Sequence, residues 1–352
     1  MPPTEALLTQ WFDDHRAFLW GLSYRITGSA ADADDVVQET FIKAHLHAPG
    51  HLADPRRWLM RVTVNGARDV LRRRKRRSYI GPWLPTPIDT SGEDTPSSFE
   101  PVVEGRTLEG RYDLIESASL AFLQALEALT ATQRAVLLLR DVFDYAAAEV
   151  ATVLDTSEGN VRIIHHRARR AMESYEERQS RPTALQREKT EKALQQFLAL
   201  LADGDVHGIE RMLATDVRTV TDANGEFTAL YHPLVGRSRV GKFFAQFSRS
   251  RRRDGVVLTV RQVNGLPMVD IEVASPRGRR PPRLLLGIDL SPAGEIINIW
   301  VIASSAKLAG VPSRRVAAGV GTPEPQSRSR SGAISPARTR GTSMSVSTTR
   351  LK

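Results

Sequence analysis

Between residues 78 and 116 the chain cannot continue a packed helical domain, because Pro82, Pro85, Pro87, Pro96 and Pro101 stand there among acids, serines and glycines. Each proline removes a backbone donor and stops the helix before it, so the stretch reads as a linker between segments each long enough to bury an apolar core. Residues 6–77 place apolar side chains at helical spacing with few breakers, and residues 117–177 form a second helical block. From residue 187 a helix through Leu194, Phe197, Leu198 and Leu201 gives way to alternating, Val- and Ile-rich segments at 256–263, 268–274, 284–290 and 296–302. That order predicts an α+β domain with a curved sheet over residues 187–308. From 313 to 352 large apolar residues almost vanish, which predicts a disordered tail. At 352 residues there is length enough for a multidomain chain.

The net charge of +9 matters less than its placement. Residues 313–352 hold eight basic residues and one acid, leaving little excess elsewhere. Residues 56–77 hold ten basic residues and one acid, whereas residues 89–116 hold eight acids and two arginines. The first segment suits phosphate and the second repels it. The absence of cysteine excludes disulfides and thiolate metal sites. No run approaches the ~20 apolar residues of a membrane span, and Glu5 and Asp13 interrupt any leader pattern, so a cytoplasmic protein without a membrane partner is expected. The pair His165-His166 lacks further ligands at metal spacing, and no metal or cofactor is expected.

In the first block Ala33, Val36, Val37, Phe41 and Ala44 share one helix face, which turns Asp32, Asp35, Gln38 and Glu39 elsewhere. Periodicity alone leaves two readings of that acidic face, a solvated surface or a partner's docking site. The next helix opens on Asp54 as cap and Pro55 at its first position. Leu59, Val62, Gly66 and Val70 follow one apolar stripe, and Arg57, Arg61, Asn65, Arg68 and Arg72 recur on another, ending in six cations from Arg72 to Arg77. So many cations exceed what the helix dipole calls for, and phosphate contact is the better reading, with Asn65 able to donate to and accept from a base edge.

The second block carries a helix-turn-helix pattern. Val150, Ala151 and Leu154 supply one buried face, Asp155-Thr156-Ser157 the turn, and Val161, Ile164 and Ala168 the face of the following helix, with Ser157 as its cap. Asp155 stands where glycine is usual and tolerates the left-handed conformation better than most residues. The exposed side of that helix offers Glu158, Asn160, Arg162, His165 or His166, and Arg169, types that bond base edges and phosphates.

Together the modules resemble the extracytoplasmic-function group of sigma factors. The run Asp32-Ala33-Asp34-Asp35-Val36-Val37-Gln38-Glu39-Thr40-Phe41, then Trp58-Leu59-Met60-Arg61-Val62-Thr63-Val64-Asn65 and the arginines, is similar to the sigma-two domain. Residues 134–144 with Tyr145 and Glu149, then 157–170, are similar to the sigma-four helix-turn-helix domain. The resemblance implies a protein that binds core RNA polymerase and directs promoter recognition, melting and initiation. Asp32, Asp35, Gln38 and Glu39 would meet the β′ clamp helices, and the β flap would be a further polymerase contact. Arg57, Arg61, Asn65, Arg68 and Arg72 would serve the minus-ten element of promoter DNA, and Ser157, Glu158, Asn160, Arg162, His165 and Arg169 the minus-thirty-five element.

The segment Tyr79-Ile80-Gly81-Pro82-Trp83-Leu84-Pro85-Thr86-Pro87 is similar to the linker of members with a SnoaL-like extension, an NTF2-like α+β cone, which residues 187–308 resemble. Asp222-Ala223-Asn224-Gly225-Glu226 and Ser304-Ser305-Ala306-Lys307-Leu308 stand where such members carry Asp-Gly-Gly-Gly-Lys and Asn-Pro-Asp-Lys-Leu. Trp83, Leu84 and Pro85 would be the regulatory part of the linker, and the extension would modulate activity through an intramolecular contact or a small molecule. The expected architecture is two all-α sigma domains, a cone and a tail. The alternative is a helix-turn-helix regulator with a ligand-binding or enzymatic SnoaL-like domain, which leaves the acidic helix and basic stripe without a purpose. Asp222, His232, Asp270 and Asp289 show no spacing of a catalytic dyad or triad, so no enzyme is expected.

Overall fold

The computed structural model describes residues 3–74, 79–91, 116–178, 183–251 and 255–313. The tail beyond Ser313, the cations Lys75, Arg76 and Arg77, and linker residues 92–115 lie outside that set.

Three helices form the first module. α1 (Glu5–Thr27) starts at the Thr4 cap and ends on Gly28 in the left-handed conformation, φ 67°. α2 (Ala30–His47) is capped by Ser29, whose hydroxyl accepts from Asp32 N–H at 3.2 Å. α3 (Pro55–Arg74) starts where Asp54 Oδ1 accepts from Arg57 N–H at 2.9 Å. The expected apolar stripe on α3 needs correction. Leu59 is fully buried, but Val62, Gly66 and Val70 are half-buried, and the interior face continues through Met60, Thr63, Val64, Ala67 and Leu71. The reason is that α3 is clasped from two sides, by α1 and α2 and also by helices of the second module.

The second module comprises α4 (Leu120–Ala125), α5 (Ala131–Leu137), a π-turn over Leu138–Val142, α6 (Ala147–Leu154) and α7 (Glu158–Arg178). Asp155, at φ 54° and ψ 56°, makes the turn between α6 and α7, and Ser157 Oγ accepts from Asn160 N–H at 3.2 Å. The two modules share one apolar core that runs from Trp11 to Tyr175. Polar bonds cross the same seam. Fully buried Arg25 donates from Nε to Ser117 Oγ at 2.8 Å, and Arg134 donates to the Ile26 carbonyl at 2.9 Å.

The third domain opens with α8 (Ala184–Asp203) and α9 (Val206–Met212), then β1 (Leu213–Asp222), β2 (Leu234–Val235), α10 (Arg237–Arg251), β3 (Val256–Val263), β4 (Leu266–Val273), β5 (Arg283–Leu290), β6 (Ile296–Ile302) and α11 (Ser305–Leu308). The sheet order is β2-β1-β6-β5-β4-β3, antiparallel except for the parallel β1–β6 pair, an NTF2-like arrangement with α8, α9 and α10 against one face. The other face carries Val220, Leu285, Trp300 and Ile302, which pack with Leu84 of the linker and Leu120 of α4. The third domain is thus seated on both helical modules through the linker.

Candidate functional site

Three surfaces meet the requirements of the chemistry. On α2, Asp35, Gln38 and Glu39 are exposed and Asp32 is half-exposed, with Glu39 paired to Lys43 at 3.3 Å. The helix buries Ala33, Val36, Val37 and Ala44 and leaves Phe41 only partly covered, so the acidic face projects outward.

On α3, Arg57, Arg61, Asn65 and Arg72 are exposed and Arg68 is half-buried. Two of these cations are engaged by the other module. Arg61 pairs with Asp155 at 3.5 Å, and Arg68 donates to Thr132 Oγ1 at 3.0 Å and to Asn65 Oδ1 at 3.1 Å. Arg72 is held within its own helix by Asp69 at 3.0 Å. The basic face of α3 therefore meets α5 and the end of α6 at Arg61 and Arg68, while Arg57, Asn65 and Arg72 stay exposed.

On α7, Ser157, Asn160, Arg162 and Arg169 are exposed and Glu158 is half-exposed, with Arg162 paired to Glu158 at 2.6 Å. His165 departs from the expectation. Its Nε2 lies 2.7 Å from Asp141 Oδ1, with the imidazole 17% exposed, so it faces the π-turn and not the outer side of the helix. Asp141, far away in sequence, supplies the partner that spacing along α7 cannot reveal. His166 takes the exposed position beside Arg162 and Arg169.

The linker is the strap between these surfaces. Leu84, Pro85, Thr86, Pro87 and Ile88 are buried. Trp83 lies against Gly28 and under the Arg74 guanidinium, 4.3 Å from the ring centre, with the Lys307 ammonium at 4.3 Å as well. A Cβ on Gly28 would fall 2.6 Å from Trp83 Cη2, and φ there is positive, so the position favours glycine twice over. Asp222 accepts from Tyr79 Oη at 2.5 Å, Leu84 N–H at 2.7 Å and Lys307 Nζ at 2.6 Å, and Lys307 also donates to the Leu84 carbonyl. Further along, the strap joins the edge of β3. Asp89 bridges Val263, Thr90 N–H donates to the Gln262 carbonyl at 2.7 Å, and Arg261 pairs with Asp89 at 3.0 Å.

Asn264, in the hairpin between β3 and β4, is a functional residue that sequence reasoning missed. Its Oδ1 accepts from Ile88 N–H at 2.9 Å, and its Nδ2 donates to Tyr24 Oη and to the Ala118 carbonyl, each at 2.7 Å. One buried amide thus ties the first module, the linker and the second module to the third domain. The carboxylates weighed for catalysis have structural partners: Asp222 holds the strap, Asp270 accepts from Arg261 and Arg283, and Asp289 accepts from Asn298 and Trp300. His232 is exposed. Among the described residues no group of three or more His, Asp or Glu is arranged to hold a metal, and no helix is long and apolar enough to cross a membrane.

Burial pulls the Lys307 ammonium down from its ordinary 10.5 to about 8, against the opposing influence of Asp222, with Arg74 lowering it and Glu127 raising it. Undocked, Lys307 would keep its proton to near 10.5, so between about pH 8 and 10.5 the undocked state binds more protons and docking strengthens as pH rises. Tyr79, whose phenol is raised by burial and by Asp222, acts in the opposite sense above pH 10, since the docked form keeps a proton that the undocked form releases. Docking is therefore expected to strengthen from about pH 8 and to peak near pH 10. The urea midpoint followed by Trp fluorescence should rise over that window in the wild type and stay flat in Lys307→Met. A flat wild-type curve would contradict the assignment.

An acidic helix face, a basic helix face and a helix-turn-helix, joined by a strap, define a DNA-binding protein of transcription initiation. Residues 11–77 match the Sigma-70 region 2 family and residues 119–172 match Sigma-70 region 4. The chain is 32% identical over 238 residues to the ECF RNA polymerase sigma factor SigJ of Mycobacterium tuberculosis, covering 66% of this chain and 70% of that protein. It is 29% identical over 299 residues to the probable ECF RNA polymerase sigma factor SigI of the same organism, covering 84% and 92%. The crystal structure of M. tuberculosis SigJ matches with a TM-score of 0.65 at 26% identity, over 86% of this chain and 99% of that one. The chain belongs to the extracytoplasmic-function (ECF) RNA polymerase sigma factors. It binds RNA polymerase and recognises promoters, a role of binding and positioning that the family performs without being enzymes.

Proposed function

We propose that this sigma factor is held in a closed state by its own third domain, and that the two helical modules part when polymerase and promoter are engaged. The observation that carries the reading is the 3.5 Å contact between Arg61 of α3 and Asp155 beside α7. The minus-ten and minus-thirty-five elements are separated by roughly 25 base pairs, or about 85 Å of duplex at ~3.4 Å per base pair. Faces that touch one another cannot also span that distance.

In this reading Asp32, Asp35, Gln38 and Glu39 meet the β′ clamp helices of polymerase, and the second module meets the β flap. Arg57, Arg61, Asn65, Arg68 and Arg72 serve the minus-ten element, with Arg61 and Arg68 released from Asp155 and Thr132. Ser157, Glu158, Asn160, Arg162 and Arg169 serve the minus-thirty-five element, with His166 in the outward position and His165 bracing α7 from within. The domains divide as 6–77, 117–177 and 187–308, with 78–116 as the linker in which Trp83, Leu84 and Pro85 form the regulatory contact.

Run-off transcription with purified core polymerase tests the reading directly. Removal of residues 187–352 is expected to raise transcription from a two-element promoter at limiting protein, and equal output from both forms would refute autoinhibition. Base readout by α7 has its own test. Arg162→Ala should cost about 1–3 kcal/mol on the preferred upstream element and relax preference at one or two base pairs. An equal loss on all sequences in a competition assay would reduce Arg162 to a phosphate contact.

A further inference from the structure

α10 packs on the face of the third-domain sheet that lies away from the strap, and its charge is one-sided. Its 15 residues carry Arg237, Arg239, Lys242, Arg249 and Arg251 and no acid. Val240, Phe244 and Ala245 turn inward to the core. Among the described side chains the exposed positions are Ser238, Arg239, Lys242, Gln246 and Arg249, all polar. At roughly 3.6 residues per turn, Arg239, Lys242, Gln246 and Arg249 fall within an arc of about 80° and form a stripe about 15 Å long. Two ordinary explanations of surface cations fail for this stripe. The helix dipole favours cations in the last turn, yet Arg239 and Lys242 lie in the first two turns, where it opposes them. Ion pairing accounts for Arg237, which donates to the Leu213 carbonyl at 2.7 Å and meets Glu295 at 3.3 Å. Among the described residues Arg239, Lys242 and Arg249 form no ion pair, and Glu210, packed at Gly241 by α9, lies 4.0 Å from His207.

We propose that the outer face of α10 is a third DNA-contact surface, which holds the phosphate backbone of duplex DNA without regard to sequence. Over about 15 Å each strand of a duplex presents roughly four phosphates, at ~3.4 Å of rise apiece. Ser238 and Gln246 stand among the cations as neutral donors of the kind that bond phosphate oxygens. A protein partner or a lipid surface would call for an apolar centre among the charges, and the exposed stripe has none. Duplex DNA is also the polymer on which a sigma factor works. Residues 314–352 follow the same domain with eight further cations against one acid, which raises the positive charge of this end of the chain. Because α10 and the strap lie on opposite faces of the sheet, DNA held here leaves α3 and α7 free for the promoter elements. The contact rests on the stripe and not on the closed-state reading above.

The test uses the full chain and a fluorescent duplex that lacks both promoter elements, with binding followed by anisotropy over a range of salt. Arg239→Gln, Lys242→Gln and Arg249→Gln combined should weaken binding by roughly tenfold or more at ~0.1 M salt. The slope of log affinity against log salt should fall by about 2–3, the counterion release of three phosphate contacts. Glutamine matches the helix propensity of the cations it replaces, and circular dichroism verifies the fold. A control variant, Lys189→Gln with Lys192→Gln and Arg211→Gln, removes the same charge from α8 and α9 and should lower the slope by less than about 1. An unchanged slope in the stripe variant overturns the contact. An equal fall in the control overturns its assignment to α10 and leaves only an effect of net charge. Loss of sedimentation with phosphatidylglycerol vesicles, or of pull-down by core polymerase, while the DNA slope stays intact would make the stripe a lipid or protein surface and overturn the proposal.

Discussion

Replacing Asn264 with alanine is expected to release the strap and raise promoter-directed transcription by the full-length protein. The side chain is 1% exposed and its amide bonds three groups from three parts of the molecule, the Ile88 N–H, the Tyr24 hydroxyl and the Ala118 carbonyl. Tyr24 still donates to the Thr86 carbonyl at 2.6 Å, but the N–H of Ile88 and the carbonyl of Ala118 would be left without that partner. Each buried orphan costs about 1–3 kcal/mol, so docking should weaken by about 2–6 kcal/mol, roughly thirtyfold or more. Asn264 also sits at φ 53°, where alanine is strained. Asn264→Gly separates the two effects by removing the amide while easing the backbone. Asn264→Asp keeps an acceptor for Ile88 but sets a carboxylate against the Ala118 carbonyl, so it should resemble alanine. Hydrogen exchange at Ile88 and Thr90 reads the release directly, and unchanged protection in all three variants would remove Asn264 from the docking contact.

The helical modules were legible because their information is local. Caps at Asp54 and Ser157, the left-handed Asp155 and the period of Ala33, Val36, Val37 and Ala44 all act within a few residues. The strands β3 to β6 announced themselves by alternation, whereas β1 did not, since Thr219, Thr221 and Asp222 are buried there and disguise its inward positions as polar. The Asn264-Gly265 pair is readable as a hairpin turn, with positive φ at both residues. Nothing local says that its side chain bonds residues 24, 88 and 118. The same limit explains His165, whose partner Asp141 comes from the π-turn, and the buried face of α3, which had to accommodate a second module as well as its own. What the sequence hid was which residues make the contacts between domains.

That contact makes the strongest test of function. The chain contains no cysteine, so Arg61→Cys combined with Asp155→Cys introduces the only two thiols. Both parent side chains are exposed, at 47% and 85%, and accessible to a short bis-maleimide with a reducible spacer. Bridging them fixes α3 against the α6–α7 turn, a distance that no two-element promoter of ordinary spacing can accommodate. Run-off transcription should fall by roughly a hundredfold or more, since specific promoter contacts are typically worth ~10³ or more over non-specific binding. Cleavage of the spacer should restore it. Comparing one preparation before and after cleavage removes the effect of losing Arg61 itself, which is common to both states. Polymerase binding through the α2 face should survive bridging, as that face lies away from the joint, so a pull-down with core polymerase distinguishes a locked protein from a damaged one. If the bridged protein still initiates at both elements as well as the cleaved one, the modules act on DNA from the closed arrangement, and the third domain regulates by some means other than holding them together.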